Sequence, residues 1–426
     1  MDSQQKLESV RASLGVRPPH CSGTCSIPSD KLKLYYDVDD ENAGKIDLAR
    51  ATPADLEKLA RACQPATFGR NQEDVLDETY RKALKLDASA FSTLFNAESA
   101  GLADVIRREL LEGKNDKRDI RLEMYKLNIY GKDSFFKPHK DTPRGEKMFG
   151  SLVIVFPTSH EGGEFVLRHE GREWTIDFAE MLSQPSESSD PRFGYVSFFS
   201  DIEHEVLLVK SGHRVTLTYN LYFAETQSPV SVDAAPAPYE QVITEALGSL
   251  VADPALLPKG GYFGFGLRHQ YPVSESTDLA CLQTCLKGSD GALSRSLSSL
   301  SLNWRLCVLY RDVGIWPKQH YLNTRVIDFS QHHQVEEEDI ERLMGEGVER
   351  VRFVDMSGTP IKAPERRWWS EGDEDEDEGA KDIFQVTKMP SVFGLRSIYI
   401  AYGNEVEMAH LYGDLCLVAE IPAKTA

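Results

Sequence analysis

Residues 125–144 are YKLNIYGKDSFFKPHKDTPR and place a histidine and an aspartate two positions apart, at His139 and Asp141. In a β-strand, residues i and i+2 point to the same face, so both side chains are predicted to face one metal ion. A further histidine, His204, stands between two apolar runs of FFSDIEHEVLLV, residues 198–209, and is predicted to lie at a loop edge between two strands. Two imidazoles and one carboxylate on one face of an ion are typical ligands of non-haem Fe(II). The predicted metal ligands and catalytic residues are therefore His139, Asp141 and His204.

An arginine opens the next segment, RVTLTYNLYF, residues 214–223. Its alternation predicts a buried strand with Arg214, Thr216 and Thr218 on one face. A guanidinium can bind a carboxylate through two parallel hydrogen bonds, and a neighbouring hydroxyl can assist. Because an unpaired buried guanidinium is strongly destabilising, we expect an anionic ligand at Arg214. A salt bridge to one of the 67 acidic residues is the alternative.

The stretch from about residue 121 to 223 resembles the double-stranded β-helix of Fe(II)/2-oxoglutarate dioxygenases, in the prolyl 4-hydroxylase-like branch. The resemblance rests first on the order and spacing of the two histidines, the aspartate and the arginine. It also rests on FGSLVIVFP, residues 149–157, and GGEFVLR, residues 162–168, which are similar to the central strands and glycine pair of that fold. It covers roughly a quarter of the chain.

This resemblance implies a cofactor and a set of co-substrates. The cofactor would be Fe(II), and 2-oxoglutarate and O2 would be consumed, with ascorbate as a supporting reductant. Arg214 matches the residue that binds the distal carboxylate of 2-oxoglutarate, and Thr218 and Tyr130 match hydroxyl groups that assist it. Arg144, three residues past Asp141, is expected at the mouth of the site, bound either to substrate or to a neighbouring acid.

The implied reaction is hydroxylation of an unactivated C–H bond, with release of succinate and CO2. By the same resemblance, the expected substrate is a prolyl residue of a protein or peptide. A small-molecule hydroxylase of secondary metabolism, with the same mechanism, is the first alternative. The second is a catalytically silent barrel that acts as a protein-interaction module.

The charge balance argues against nucleic acid as a partner. The formal net charge is -19, whereas nucleic-acid binders concentrate Lys and Arg. The demethylase branch of the resembled family carries a second arginine six positions after the first, and this chain has Asn220 there.

The expected location is intracellular, cytoplasmic or nuclear. No apolar run reaches the roughly 18 residues that span a bilayer, and the first residues lack the apolar centre of a signal peptide. Seven cysteines, an odd number, favour free thiols over a disulfide framework. A membrane is therefore not expected as a partner, and the sequence leaves the oligomeric state open.

The predicted fold class is α+β. A double-stranded β-helix (jelly-roll) catalytic core is expected, with flanking N-terminal helices and a C-terminal mixed α/β region that is either an accessory domain or a degenerate second barrel. The predicted division is a weakly ordered segment at 1–30, the catalytic domain at 31–225, a linker at 226–238 and the C-terminal region at 239–426, with a solvated acidic loop at 371–378.

Local patterns place several elements. Thr52-Pro53-Ala-Asp55 is a typical helix start, and apolar residues from Leu102 to Leu110 repeat with the helical period. The C-terminal region is predicted to hold a helix at 239–250 and strands at 262–267, 304–310, 351–354 and 397–402.

Overall fold

The computed structural model describes residues 2–15, 17–39, 41–70, 73–111, 118–142, 144–184, 190–224, 238–274, 277–311, 320–327, 345, 348–361, 379–391 and 411–424. The chain forms two compact units. The jelly-roll unit contains Pro18–Asp233, and the barrel unit contains Met1–Arg17, Ala234–Ser397 and His410–Ala426.

The jelly-roll unit is mostly sheet. Its strands are β1 His20–Ser26, β2 Lys33–Asp37, β3 Ala43–Asp47, β4 Gln64–Pro65, β5 Phe68–Arg70, β6 Glu73–Val75, β7 Arg81–Lys82, β8 Leu84–Asp87, β9 Phe91–Thr93, β10 Ile120–Tyr130, β11 Phe135–His139, β12 Met148–Val155, β13 His160–Gly162, β14 Phe165–His169, β15 Arg172–Ile176, β16 Arg192–Phe199, β17 Glu203–Val206, β18 Val209–Gly212 and β19 Arg214–Phe223.

Two antiparallel sheets build the core of this unit. The larger has seven strands in the order β1-β16-β12-β19-β10-β8-β4, and the smaller has five in the order β15-β14-β17-β11-β7. All eight residues of β12 are buried, because this strand lies inside the larger sheet with both faces covered. Short pairs and a triplet, β13-β18, β5-β6 and β3-β2-β9, complete the unit. The predicted jelly-roll core is confirmed.

The N-terminal helices of this unit follow their sequence signals. The helix Pro53–Ala62 begins with a capping box, in which Thr52 accepts from the Asp55 backbone and the Asp55 side chain accepts from Thr52. The helix Leu102–Glu109 buries Leu102 and Ile106. Both predicted helices are confirmed, and a short helix, Phe178–Ser183, and a 3-10 turn, Ser29–Lys31, were not predicted.

The first thirty residues differ from the weak order that their polar composition predicts. The helix Ser3–Leu14 begins with a capping box between Asp2 and Gln5, and it packs against the helix Pro238–Val251 of the same unit. β1 then pairs with β16 along its whole length. The contacts that order this segment come from residues more than 150 positions away, so local composition does not reveal them.

The barrel unit combines helices with strands of both orientations. Its strands are β20 Gly261–Gly266, β21 Tyr271–Val273, β22 Trp304–Arg311, β23 His320–Asn323, β24 Glu349–Val354, β25 Lys381–Gln385, β26 Leu411–Gly413 and β27 Cys416–Ile421, and its other helices are Pro238–Val251, Leu279–Leu282, the 3-10 turn Gln283–Cys285 and Gly288–Ser299.

Six strands of this unit close into a barrel in the order β20-β25-β24-β23-β22-β27. The pairs β20·β25 and β24·β25 are parallel, which distinguishes this barrel from the antiparallel sheets of the jelly-roll unit. Alternate residues on its strands form one buried apolar cluster that includes Leu309, Val351, Ile383 and Val418.

Three sequence predictions lie outside the described residues. These are the linker up to residue 237, the acidic loop at 371–378 and the strand at 397–402. Among the helices that the structure describes, none is long and apolar enough to cross a bilayer.

Candidate metal centre

Three potential metal ligands meet between two strands of the smaller sheet. His139 is the last residue of β11 and is the register partner of His204 on β17. Ligand atoms of His139, Asp141 and His204 all lie within 4.8 Å of one another, and all three residues are buried. In the described part of the chain, this is the one group of three or more His, Cys, Asp or Glu side chains close enough to hold a metal ion. The donor set fits Fe(II), which takes two imidazoles and a carboxylate.

Asp141 reaches the site differently from the prediction. β11 ends at His139, so Asp141 lies beyond the strand and does not share its pleat. Ser151 of β12, in the larger sheet, donates a hydrogen bond of 2.5 Å to Asp141 Oδ2. The other oxygen, Oδ1, lies 3.8 Å from His204 Nε2. A hydrogen bond across the two sheets therefore fixes the carboxylate orientation. His204, for its part, lies within β17 rather than at a loop edge.

Backbone carbonyls select the tautomer of both histidines. His139 Nδ1 lies 2.8 Å from the Lys137 carbonyl oxygen, and His204 Nδ1 lies 3.0 Å from that of Ile202. When Nδ1–H donates to a carbonyl, the Nε2 lone pair remains for a metal. Burial lowers the pKa of His139 well below its usual range, and the neighbouring His204 adds to this. The His139 imidazole is therefore neutral near pH 7, which is the form that binds metal.

Aromatic rings wall the two imidazoles. Phe136 stacks on His139 with ring centroids 3.5 Å apart, and Phe198 lies 4.5 Å from the His204 ring. Phe165 is nearly parallel to His204 at 5.5 Å. These contacts restrict rotation of both ligands and keep water away from them.

Arg214 is a buried cation without a counter-ion among the residues that the structure describes. It begins β19, opposite Tyr130 on β10, and is 1% exposed. Its Nε and Nη2 are buried and have no hydrogen-bond partner in the residues described. Burial lowers the pKa of Arg214 to about 10, and only the Tyr130 hydroxyl opposes that shift. Because a buried unpaired guanidinium is costly, this geometry fits a carboxylate ligand in the adjacent cavity.

A glycine makes room for Arg214. Gly163 has φ +73°, and a Cβ there would lie 3.0 Å from Arg214 Cδ and 2.9 Å from Val209 Cγ2. The preceding Gly162 is also left-handed, with φ +72°. The glycine pair singled out in the sequence thus allows the close approach of backbone to the arginine stem.

One cavity brings together most of the predicted site residues. It is lined by His139, Asp141, His204, Arg214, Thr218 and Tyr130. Arg144 does not line it. Its Nη2 donates to the Tyr125 hydroxyl at 2.7 Å, and Tyr125 does line the cavity. Arg144 therefore reaches the cavity through Tyr125.

Sequence reasoning missed five polar contributors, which are Arg81, Tyr125, Lys126, Asn128 and Ser151. Lys126 and Asn128 share the strand face of Tyr130, so the alternation of β10 carried a usable signal. No local signal identified Arg81, which sits in a two-residue strand far upstream of the ligands. Ser151 acts through a contact between sheets, and it too leaves no local trace.

A jelly roll that holds a buried His-x-Asp…His group beside an unpaired arginine defines the class of non-haem iron oxygenases. Residues 125–222 match the family model of the 2OG-Fe(II) oxygenase superfamily. Residues 125–222 of the jelly-roll unit thus form a 2OG-Fe(II) oxygenase domain, which makes the protein a dioxygenase that uses Fe(II), 2-oxoglutarate and O2.

Solved structures give weaker similarities. A Pseudomonas putida prolyl-4-hydroxylase is 18% identical, with 51% of this chain and 100% of that chain covered and a TM-score of 0.31. A Trichoplax adhaerens prolyl hydroxylase, in complex with a hypoxia inducible factor peptide fragment, is 14% identical, with 52% and 94% covered and a TM-score of 0.30. A viral collagen prolyl hydroxylase from Paramecium Bursaria Chlorella virus-1 is 10% identical, with 49% and 97% covered and a TM-score of 0.27. No curated protein matches this chain.

Proposed function

We propose that this chain hydroxylates a prolyl residue of a protein or peptide. In the overall reaction, one oxygen atom of O2 enters the C–H bond of the substrate and the other enters succinate, while 2-oxoglutarate loses CO2. The observation that carries the proposal is the shared cavity, in which three potential metal ligands lie beside a buried guanidinium that has no acidic partner in the described part of the chain. The preference for proline rests on the sequence resemblance to the prolyl 4-hydroxylase-like branch.

The predicted site residues each have a proposed role. His139, Asp141 and His204 would hold Fe(II), which with 2-oxoglutarate and O2 supplies the oxidising chemistry when bound. Arg214 binds the distal carboxylate of 2-oxoglutarate, because its unpaired N–H groups and positive charge match that group.

Two hydroxyl groups assist Arg214. Tyr130 is buried and its ring centroid lies 5.6 Å from Arg214 Cζ. Thr218 lies four residues after Arg214, on the same face of β19. Both hydroxyl groups are positioned to donate hydrogen bonds to an anion held by the arginine.

Arg144 is proposed to bind substrate together with Tyr125. Its guanidinium carbon lies 4.3 Å from the Tyr125 ring centroid, in addition to the hydrogen bond to the hydroxyl. Tyr125 therefore presents a held hydroxyl to the cavity. A peptide carbonyl oxygen is a suitable acceptor for the hydroxyl proton of Tyr125.

The test is a mass-spectrometric assay of proline-containing peptides, incubated in air with the enzyme, Fe(II) and 2-oxoglutarate. We expect a mass gain of one oxygen on proline, with matching succinate release, and neither in His139→Ala. A second peptide set, with every proline replaced by alanine, is the control for specificity. Succinate release stimulated by small molecules, without oxygen gain on any peptide, would contradict the prolyl assignment and favour the small-molecule alternative.

A further inference from the structure

Arg81 lies where the metal side and the co-substrate side of the cavity meet. It is the first residue of β7, at the edge of the smaller sheet, and it pairs in register with Phe136 of β11. The residue is 5% exposed and lines the cavity. Its Nη1 donates to the Thr67 carbonyl oxygen at 2.7 Å, which anchors one end of the guanidinium to the backbone.

On the metal side, Arg81 acts on a ligand through an aromatic ring. Its guanidinium carbon lies 4.3 Å from the Phe136 ring centroid, within the range of a cation–π contact. The same ring stacks on His139 at 3.5 Å with an interplanar angle of 20°. The position of Arg81 thus limits the tilt of Phe136, and Phe136 in turn limits that of His139.

On the co-substrate side, Arg81 acts through an amide. Its Nη2 donates to Asn128 Oδ1 at 3.0 Å, which links the smaller sheet to β10 of the larger one. Since arginine has only donors, the Asn128 oxygen must face it, and the amide nitrogen is left for another partner. That nitrogen lies 3.4 Å from Thr218 Oγ1. The orientation of Asn128, and with it the hydroxyl of Thr218, is therefore set by Arg81.

The two buried guanidinium groups of the cavity have different surroundings. Arg81 directs both of its terminal nitrogens at protein oxygens and has only Nε without a partner among the described residues, whereas Arg214 has both Nε and the terminal Nη2 without one. A guanidinium that is already bound to protein is suited to hold its neighbours in place. One with free N–H groups is suited to bind a ligand.

We propose that Arg81 is a positioning residue that orients two parts of the site at once. It orients His139 through Phe136, and Thr218 through Asn128. The proposal rests on the assignment of this cavity to Fe(II) and 2-oxoglutarate. It does not depend on which substrate is hydroxylated. An alternative role, contact with an anionic substrate, predicts a change only in the substrate KM.

The experiment measures binding, not turnover. The affinity for Fe(II) is determined by anaerobic titration, and the ligand field is monitored by the visible absorption of bound Co(II). The Kd of 2-oxoglutarate is measured on the Fe(II)-loaded protein. We compare wild type with Arg81→Met, Arg81→Lys and Asn128→Ala, and use Arg121→Met, an exposed arginine of the same unit, as the matched control.

We expect Arg81→Met to weaken Fe(II) binding by about 10-fold or more, as is typical of residues that orient metal ligands, and to shift the Co(II) bands. It should also raise the Kd of 2-oxoglutarate. Arg81→Lys should resemble it, because a lysine keeps the charge but cannot reach Asn128 and Thr67 at once. Asn128→Ala should raise only the Kd of 2-oxoglutarate, and Arg121→Met should change neither value.

Unchanged Kd values and Co(II) bands in both Arg81 variants would overturn the proposal, even if the substrate KM rose. If Arg81→Met does not fold, the test rests on Arg81→Lys and Asn128→Ala. Arg81→Lys should change both the Fe(II) affinity and the Kd of 2-oxoglutarate, whereas Asn128→Ala should change only the Kd of 2-oxoglutarate. A general loss of stability would lower the melting temperature of the metal-free protein without this difference between the variants in Fe(II) affinity and 2-oxoglutarate Kd. That outcome would also contradict the proposal. If binding behaves as expected but no peptide is hydroxylated, the prolyl assignment fails and the role of Arg81 stands.

Discussion

The interiors of the two β-rich units differ in chemistry. The cavity of the jelly-roll unit contains buried histidines, an aspartate and an arginine for which the described residues provide no counter-ion. The closed barrel fills its interior with apolar side chains such as Leu309, Val351 and Ile383. Apolar packing stabilises a barrel, whereas buried polar groups without partners destabilise it. A β-rich architecture therefore does not by itself produce a site, and buried groups that destabilise the fold mark where ligands are expected.

Loss of a metal ligand should have the largest effect. His204→Ala leaves two of the three ligands, so we expect Fe(II) affinity to fall by more than the roughly 10- to 100-fold seen for residues that only support ligands. Anaerobic Fe(II) titration measures this. An affinity close to that of wild type would place the metal elsewhere.

An apolar truncation in the other unit should change stability alone. Leu309→Ala removes a 1% exposed side chain from the barrel cluster, and such changes cost about 2–5 kcal/mol. We expect a lower urea midpoint of unfolding. The Fe(II) affinity, measured by the same anaerobic titration, should stay within about twofold of that of wild type. If Fe(II) affinity fell together with stability, the barrel interior would not be chemically separate from the site.

Two glycines with the same backbone conformation test the room around Arg214. Gly163 and Gly171 have φ values of +73° and +75°, but only a Cβ at Gly163 would meet neighbours, whereas Gly171 has nothing within 4 Å. Both alanine variants should lose about 1–2 kcal/mol from left-handed strain. Only Gly163→Ala should also raise the Kd of 2-oxoglutarate, because its Cβ displaces the arginine stem. Equal Kd values in the two variants would contradict this account of the glycine pair.

The smallest effect is expected at Asp253 of the barrel unit. Hydrogen bonds from Ser3 and Lys6 lower the pKa of Asp253 from 3.8 to about 2. A carboxyl whose folded pKa is depressed stabilises the fold above its unfolded pKa and loses that contribution as the pH falls towards the folded one. Asp253→Asn should therefore lower the melting temperature at pH 7 by an amount that shrinks between pH 4 and pH 2, with a loss of about 1 kcal/mol or less. A difference that does not change with pH would argue against a charged Asp253.

The site was largely predictable because its main residues form recognisable local patterns in the sequence. His139, Asp141 and His204 stand in a recognisable order, and Arg214 lies in an alternating apolar strand where a charge is conspicuous. The contacts that support them were not predictable. Ser151 holds Asp141 across two sheets, and Arg81 reaches the cavity from far upstream, so both depend on the folded arrangement.

The same limit applies to the fold. The helix at Pro53–Ala62 was predictable because its cap is encoded in four consecutive residues. The helix Ser3–Leu14 was not, because its few apolar residues are ordered by packing against Pro238–Val251. Closure of the barrel unit was left open for a related reason, since alternation within a strand does not specify which strands pair.

We propose above all that Arg214 is held in the metal cavity to bind the distal carboxylate of 2-oxoglutarate. The most direct test is an anaerobic titration of the Fe(II)-loaded protein with 2-oxoglutarate, followed by the visible charge-transfer band of the chelate, in wild type and Arg214→Met. Wild type should develop the band, and the variant should need roughly 10- to 100-fold more 2-oxoglutarate, as expected for loss of a charge-assisted hydrogen-bonded pair. The metal-free variant should be no less stable than wild type, because an unpaired buried charge has been removed. A band that forms at the same 2-oxoglutarate concentration in both proteins would contradict the claim.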